Sequence, residues 1–143
     1  MTASKDLAPE AVIGRIAEAT NSHDLDALVE CFAPDYRNET PVHPDRGFVG
    51  REQVQKNWSQ IFALVPDVTA EVLRYVVDGD TVWSEWEHRG TRPDGAPHVM
   101  RGVVILGVAD GRATWARFFL EPVRENEGDA DEGVRRVLIG ETS

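Results

Sequence analysis

The chain has 143 residues, 41% of them hydrophobic and 28% charged, with a net charge of −10 and one cysteine. That length holds one domain able to bury roughly 70% of its unfolded surface, and the excess of acid argues against a nucleic-acid partner, because phosphate binding needs clustered Lys and Arg. No run approaches the ~18 apolar residues of a membrane span, so no membrane partner is expected. The N-terminal "MTASKDLAPE" lacks the apolar core of a signal peptide. Cys31 can form no internal disulfide, and a reducing cytoplasm is the expected location. Cys31 has no adjacent His or Cys and falls on a helical apolar stripe, where a thiol packs as a small hydrophobe.

Pro9 opens the first helix, in which Val12, Ile13, Ile16 and Ala17 recur at helical spacing. "NSHD" breaks it, and Asp24 caps a second short helix with Leu25, Leu28, Val29 and Phe32 on one side. "APDY" ends that helix at Pro34. A short strand over 36–40 follows, then a loop at "PVHPDRG" in which His43, Asp45 and Arg46 read as surface. Gly50 precedes a third helix whose stripe is Val54, Trp58, Ile61 and Phe62, stopped by Pro66.

Beyond Pro66 the period changes to two. A hairpin is expected at Asp78-Gly79, a turn over 90–95, a third strand in "APHVMRGVVILGV", and a fourth in "RATWARFFLEPV" after "ADG". Helices first and a meander afterwards is an α+β pattern: three N-terminal helices packed on a strongly curved antiparallel sheet that forms a cone-shaped cavity. Residues 1–124 make this single domain, and 125–143 an acidic, mobile C-terminal tail whose "VRRVLIG" is apolar enough to dock.

Alternation splits each strand into two faces. One face of "TVWSEWEH" carries Val82, Ser84, Trp86 and His88; one face of "TWARFFLE" carries Trp115, Arg117, Phe119 and Glu121. Both faces of both strands are mixed. This suits one face lining a partly polar cavity and the other packing against a second copy, hence a homodimer. The four histidines show no HxH or HExxH spacing, so no metal is expected. There is no Gly-rich phosphate loop and no GxSxG elbow, and no cofactor is expected. Carboxylates beside aromatic and Arg residues remain, a set suited to proton transfer or activation of water.

"NSHDLDALVECFAPDY", "GREQVQKNW", "DGDTVWSEWEHRGTRPDG" and "ADGRATWARFFLEPV" together resemble the SnoaL-like family, over about residues 9 to 124. The resemblance implies the cystatin-like cone fold shared with nuclear transport factor two, which hosts cyclases, isomerases, dehydratases, epoxide hydrolases and binding modules. Where ketosteroid isomerase has its general-base Asp, this chain has Thr40, and its oxyanion-hole Tyr corresponds to Ile16. Limonene-epoxide hydrolase is similar in its Tyr-x-Asn pair, matched by Tyr36 and Asn38, and in a terminal carboxylate, matched by Glu121 with Arg117. Its proton-donating Arg-x-Asp corresponds to Trp86 and His88. Polyketide cyclases of the family carry an acid/base Asp eight residues after the Ile of "DGKI"; Glu121 stands eight after Ala113 of "DGRA".

The resemblance thus implies Glu121 as general acid/base, Tyr36 and Asn38 orienting water or a substrate oxygen, and Arg117 or His88 assisting electrostatically. Trp58, Trp86, Phe119 and Thr40 would contact a largely apolar small molecule undergoing hydration, hydrolysis, cyclisation or isomerisation. The alternative is a non-catalytic ligand-binding or dimerisation module in which Glu121 and Arg117 form a structural ion pair. Glu85 and Arg101 are expected to pair across adjacent strands.

Overall fold

The computed structural model describes residues 7–140; the first six residues and the last three of the tail lie outside the described residues. Helix α1 (Pro9–Asn21) starts on proline, whose fixed φ suits a first turn, and buries Val12, Ile13, Ile16 and Ala19. Helix α2 (Leu25–Glu30) is capped as expected: the Ala27 amide donates to Asp24 at 3.0 Å. Strand β1 (Phe32–Glu39), a 3₁₀ turn (Pro44–Arg46) and strand β2 (Phe48–Val49) lead into helix α3 (Arg51–Leu64). Strands β3 (Thr69–Asp78), β4 (Thr81–Thr91), β5 (Pro97–Ala109) and β6 (Arg112–Pro122) form the meander, and helix α4 (Ala130–Ile139) follows.

The six strands form one sheet in the order β2-β1-β6-β5-β4-β3. The meander is antiparallel, as expected, but β1 runs parallel to β6, so the sheet as a whole is mixed. β1 also begins at Phe32, earlier than the expected start at Tyr36. Its register shifts between Phe32 and Arg37, and Pro34 sits in that irregularity, where the N–H it lacks breaks no ladder.

The helices cover one face of the sheet. Val82, Ser84 and Trp86 of β4, Val104 and Leu106 of β5, and Ala116 of β6 are buried beneath them. Two hydrogen bonds satisfy the polar groups there: Trp86 Nε1 donates to Ser84 Oγ at 2.8 Å, and Ser84 Oγ donates to the Val104 carbonyl at 2.8 Å. Cys31 is buried, as expected. On the opposite face Trp115 lies across Gly107 so closely that a β-carbon there would fall inside the indole, and Trp83 and Val76 stay exposed.

The tail differs from expectation in one half. Residues 130–139 are helical because Asp129 and Glu132 form a reciprocal capping box. The apolar stretch expected to dock does not: α4 buries no residue, and Val137, Leu138 and Ile139 are all more than three-quarters exposed, at 80%, 78% and 76%. No helix among the described residues is long and apolar enough to cross a membrane.

Candidate functional site

Between the helices and the concave sheet face lies a cavity of ≈ 40 Å³. Its walls are Ile16 and Thr20 of α1, Trp58 of α3, Trp86 and His88 of β4, and Phe118 and Leu120 of β6, with Phe32, Val104 and Leu106 behind. The His88 ring stands 5.9 Å from the Trp58 ring and 5.9 Å from that of Trp86, the latter edge-on at 84°. Trp58 leans in turn on Phe62 at 5.6 Å. Burial among these rings, and secondarily the charge of His98, push the His88 pKa down from 6.5 to about 4. At neutral pH His88 is therefore an uncharged imidazole with one donor and one acceptor nitrogen. Among the described residues lining the cavity it is the one with an acid/base side chain.

Trp58, Trp86 and His88 thus line one cavity at the cone. The remaining expected site residues do not join them. Phe118 and Leu120 line the cavity, so their neighbours Arg117, Phe119 and Glu121 project to the other side of β6. The expected Glu121–Arg117 pair does not form either. His43 Nε2 lies 2.8 Å from Glu121 Oε1, and Arg117 Nη1 donates to Glu39 Oε1 at 3.0 Å. Glu85 and Arg101 also take other partners: Arg74 Nε is 3.0 Å from Glu85, and Arg101 Nε is 2.6 Å from Glu87.

Tyr36 and Asn38 share a face, but they bind each other: the Tyr36 hydroxyl donates to Asn38 Oδ1 at 2.7 Å. Burial drives the Tyr36 phenol far above its ordinary pKa. Asn38 and Thr40 border a separate open groove of ≈ 460 Å³ with Arg117, and the Thr40 hydroxyl donates to the His43 carbonyl at 2.8 Å. No group of three His, Cys, Asp or Glu among the described residues could hold a metal ion.

Sequence reasoning missed Phe118 and Leu120 as lining residues, and it left His43 as loop surface. A signal for His43 exists once the parallel pairing of Glu39 with Arg117 is known. Four residues beyond each member of that pair stand His43 and Glu121, on the same side of two neighbouring chain segments.

Residues 13–116 match the model of the SnoaL-like domain. No curated protein matches the chain. Among solved structures, wild-type IdmH, a candidate polyketide cyclase from Streptomyces antibioticus, is 31% identical with a TM-score of 0.68, covering 78% of this chain and 91% of IdmH. A candidate polyketide cyclase from Sinorhizobium meliloti is 24% identical with a TM-score of 0.60, covering 77% and 93%. A protein of ketosteroid isomerase-like fold from Catenulispora acidiphila, solved with trimethylamine, is 19% identical with a TM-score of 0.67, covering 84% and 88%. The latter two are likenesses of fold.

Proposed function

Because this chain belongs to the SnoaL-like family, we propose that it is a small-molecule enzyme of the cyclase or isomerase type, with an apolar substrate in the cone and His88 as general acid/base. The carrying observation is the neutral, partly buried imidazole of His88 at a largely apolar cavity, where the Thr20 hydroxyl is already bonded to the Ile16 carbonyl. The similarity to IdmH supports a polyketide-like substrate with several carbonyl groups. For such a molecule the free ring nitrogen of His88 takes a proton from a carbon between two carbonyls. The enolate attacks a second carbonyl within the same molecule, and the imidazolium returns its proton to the alkoxide formed. Only protons move to and from the protein, so the reaction calls on no cofactor. The acid/base role expected of Glu121 passes to His88, since Glu121 projects away from the cone.

A cavity of ≈ 40 Å³ is far below the ~300–1,000 Å³ of ligand sites. Substrate therefore enters by displacing Trp58 and the surrounding part of α3, where Val54 is the one buried residue. The same small volume favours a second reading, a ligand-binding module without chemistry. A homodimer through the outer sheet face suits the exposed Trp83 and Val76 there, and a reducing cytoplasm suits the lone buried thiol of Cys31.

Turnover of linear polyketones by the unmodified chain and by His88→Gln tests the reading. The substitution should lower kcat by ~10²–10⁴, the usual contribution of a positioned acid/base group, with ligand binding kept. Undiminished turnover in His88→Gln would sink the assignment. Binding without conversion by the unmodified chain would leave the module.

A further inference from the structure

A second histidine stands next to His88 and has no part in the cavity wall. His88 pairs with Met100 and Gly90 with His98 across β4 and β5. His88 and His98 are therefore diagonal neighbours on one face, about 7–8 Å apart in the backbone, a gap that long side chains close. His98 is half-buried and borders a groove of ≈ 500 Å³ with Arg89, Arg92, Arg101 and Glu125, so its far side meets water. The surroundings of His98 are held in place. Both oxygens of Asp67 accept from Thr91, from its amide and its hydroxyl, each at 2.8 Å. Gly90 lets that loop approach, because a β-carbon there would strike Val65 and crowd Asp67. The charge of His98 acts on His88, and those of Arg92 and Asp67 act on His98.

We propose that His98 is a positioning residue for the cone chemistry, relaying protons between the His88 ring and bulk water through one bridging water molecule. The proposal rests on the assignment of His88 as acid/base group. When one ring nitrogen of His88 takes a proton from substrate, the N–H on its other nitrogen passes a proton to the bridging water. That water gives one of its own to the free nitrogen of His98, which releases its other N–H proton into the groove. Asp67 steadies the transient imidazolium of His98, and Arg92 opposes it. The return of a proton to product runs the same steps in reverse.

The test is the exchange rate of the His88 ring N–H with water, followed by nitrogen NMR on the histidine-labelled full chain with acetylacetone added, whose carbon between two carbonyls supplies the proton that the other ring nitrogen takes up and which cannot cyclise. His98→Gln should slow this exchange by an order of magnitude or more while the amide spectrum stays native; an unchanged rate overturns the relay. In the unmodified chain the exchange should slow as pH falls through the titration of His98, since a protonated His98 cannot accept. A rate indifferent to that titration overturns the relay as well, and this measurement needs no variant to fold. Turnover by His88→Gln reports separately on His88. Lost turnover beside unchanged exchange in His98→Gln removes the relay alone, and a working relay beside undiminished turnover removes the functional reading alone.

Discussion

His88 leaves water for a position between two indole rings, and its basicity falls as a result. That shift is also a stability statement. Unfolded, the side chain takes up a proton near pH 6.5; folded, it resists until about pH 4. The unfolded state therefore binds more protons between these values, and stability must fall as pH drops through that window. The expected loss is about 3 kcal/mol, read as the decline in urea-unfolding free energy from pH 7 to pH 4. His88→Gln should remove this part of the decline. Trp86 offers a second test. In Trp86→Phe the indole N–H that donates to Ser84 is lost, while Ser84 keeps its own bond to Val104. The expected destabilisation is about 1–2 kcal/mol, measured by thermal melting. Alternation alone groups Ser84, Trp86 and His88 on one side of β4, and the structure keeps them together there. Alternation also groups Arg117, Phe119 and Glu121, yet it cannot say which side of β6 is concave. The side with Ala116, Phe118 and Leu120 carries no charge and the other carries Arg117 and Glu121, so hydrophobicity favours the former as the concave side, as the structure has it. The family resemblance, by singling out Glu121, points instead to the charged side, which the structure turns away from the cone.

Helix α3 closes the cone with Trp58 yet buries only Val54. Its other apolar contacts, Trp58 and Phe62, are only partly buried against the core, and a helix so attached opens more readily than a fully buried one, which suits it to admit a ligand. Trp58→Ala should therefore bind bulky polycyclic ligands more tightly, as isothermal calorimetry would show. Its stability should fall by about 2 kcal/mol, less than the ~3–5 of a fully buried aromatic residue. Helix α4 makes the opposite case, with a strong cap and no burial. Asp129→Ala should cost the helix about 1 kcal/mol, visible as faster amide exchange in residues 130–139, with the melting temperature of the domain unchanged. The cap was open to reading in "DADE", but the acidic, glycine-bearing run around it outweighs that signal when composition alone is considered. The Asp24 cap of α2 shows the converse, a single polar residue before an apolar stripe and legible at once.

At the scale of the molecule, the order of helices followed by a meander led to an α+β cone, and the chain folds as one. What pattern could not supply was the parallel seam between β1 and β6. Parallel neighbours far apart in sequence leave no turn signature between them, unlike the hairpin at Asp78-Gly79. That seam carries His43 to Glu121 and Glu39 to Arg117, tying both charged groups into pairs on the face away from the cone. The family resemblance implies Glu121, whereas the cavity wall holds His88. The two sites lie on opposite faces of one sheet, and each holds a histidine. Side-chain NMR of the four histidines, recorded while an aromatic polyketide-like ligand is added, separates them in one experiment. The account predicts that the His88 ring signals move on binding while those of His43 stay in place. A shift confined to His43, beside an unperturbed His88, would contradict it and return the site to Glu121.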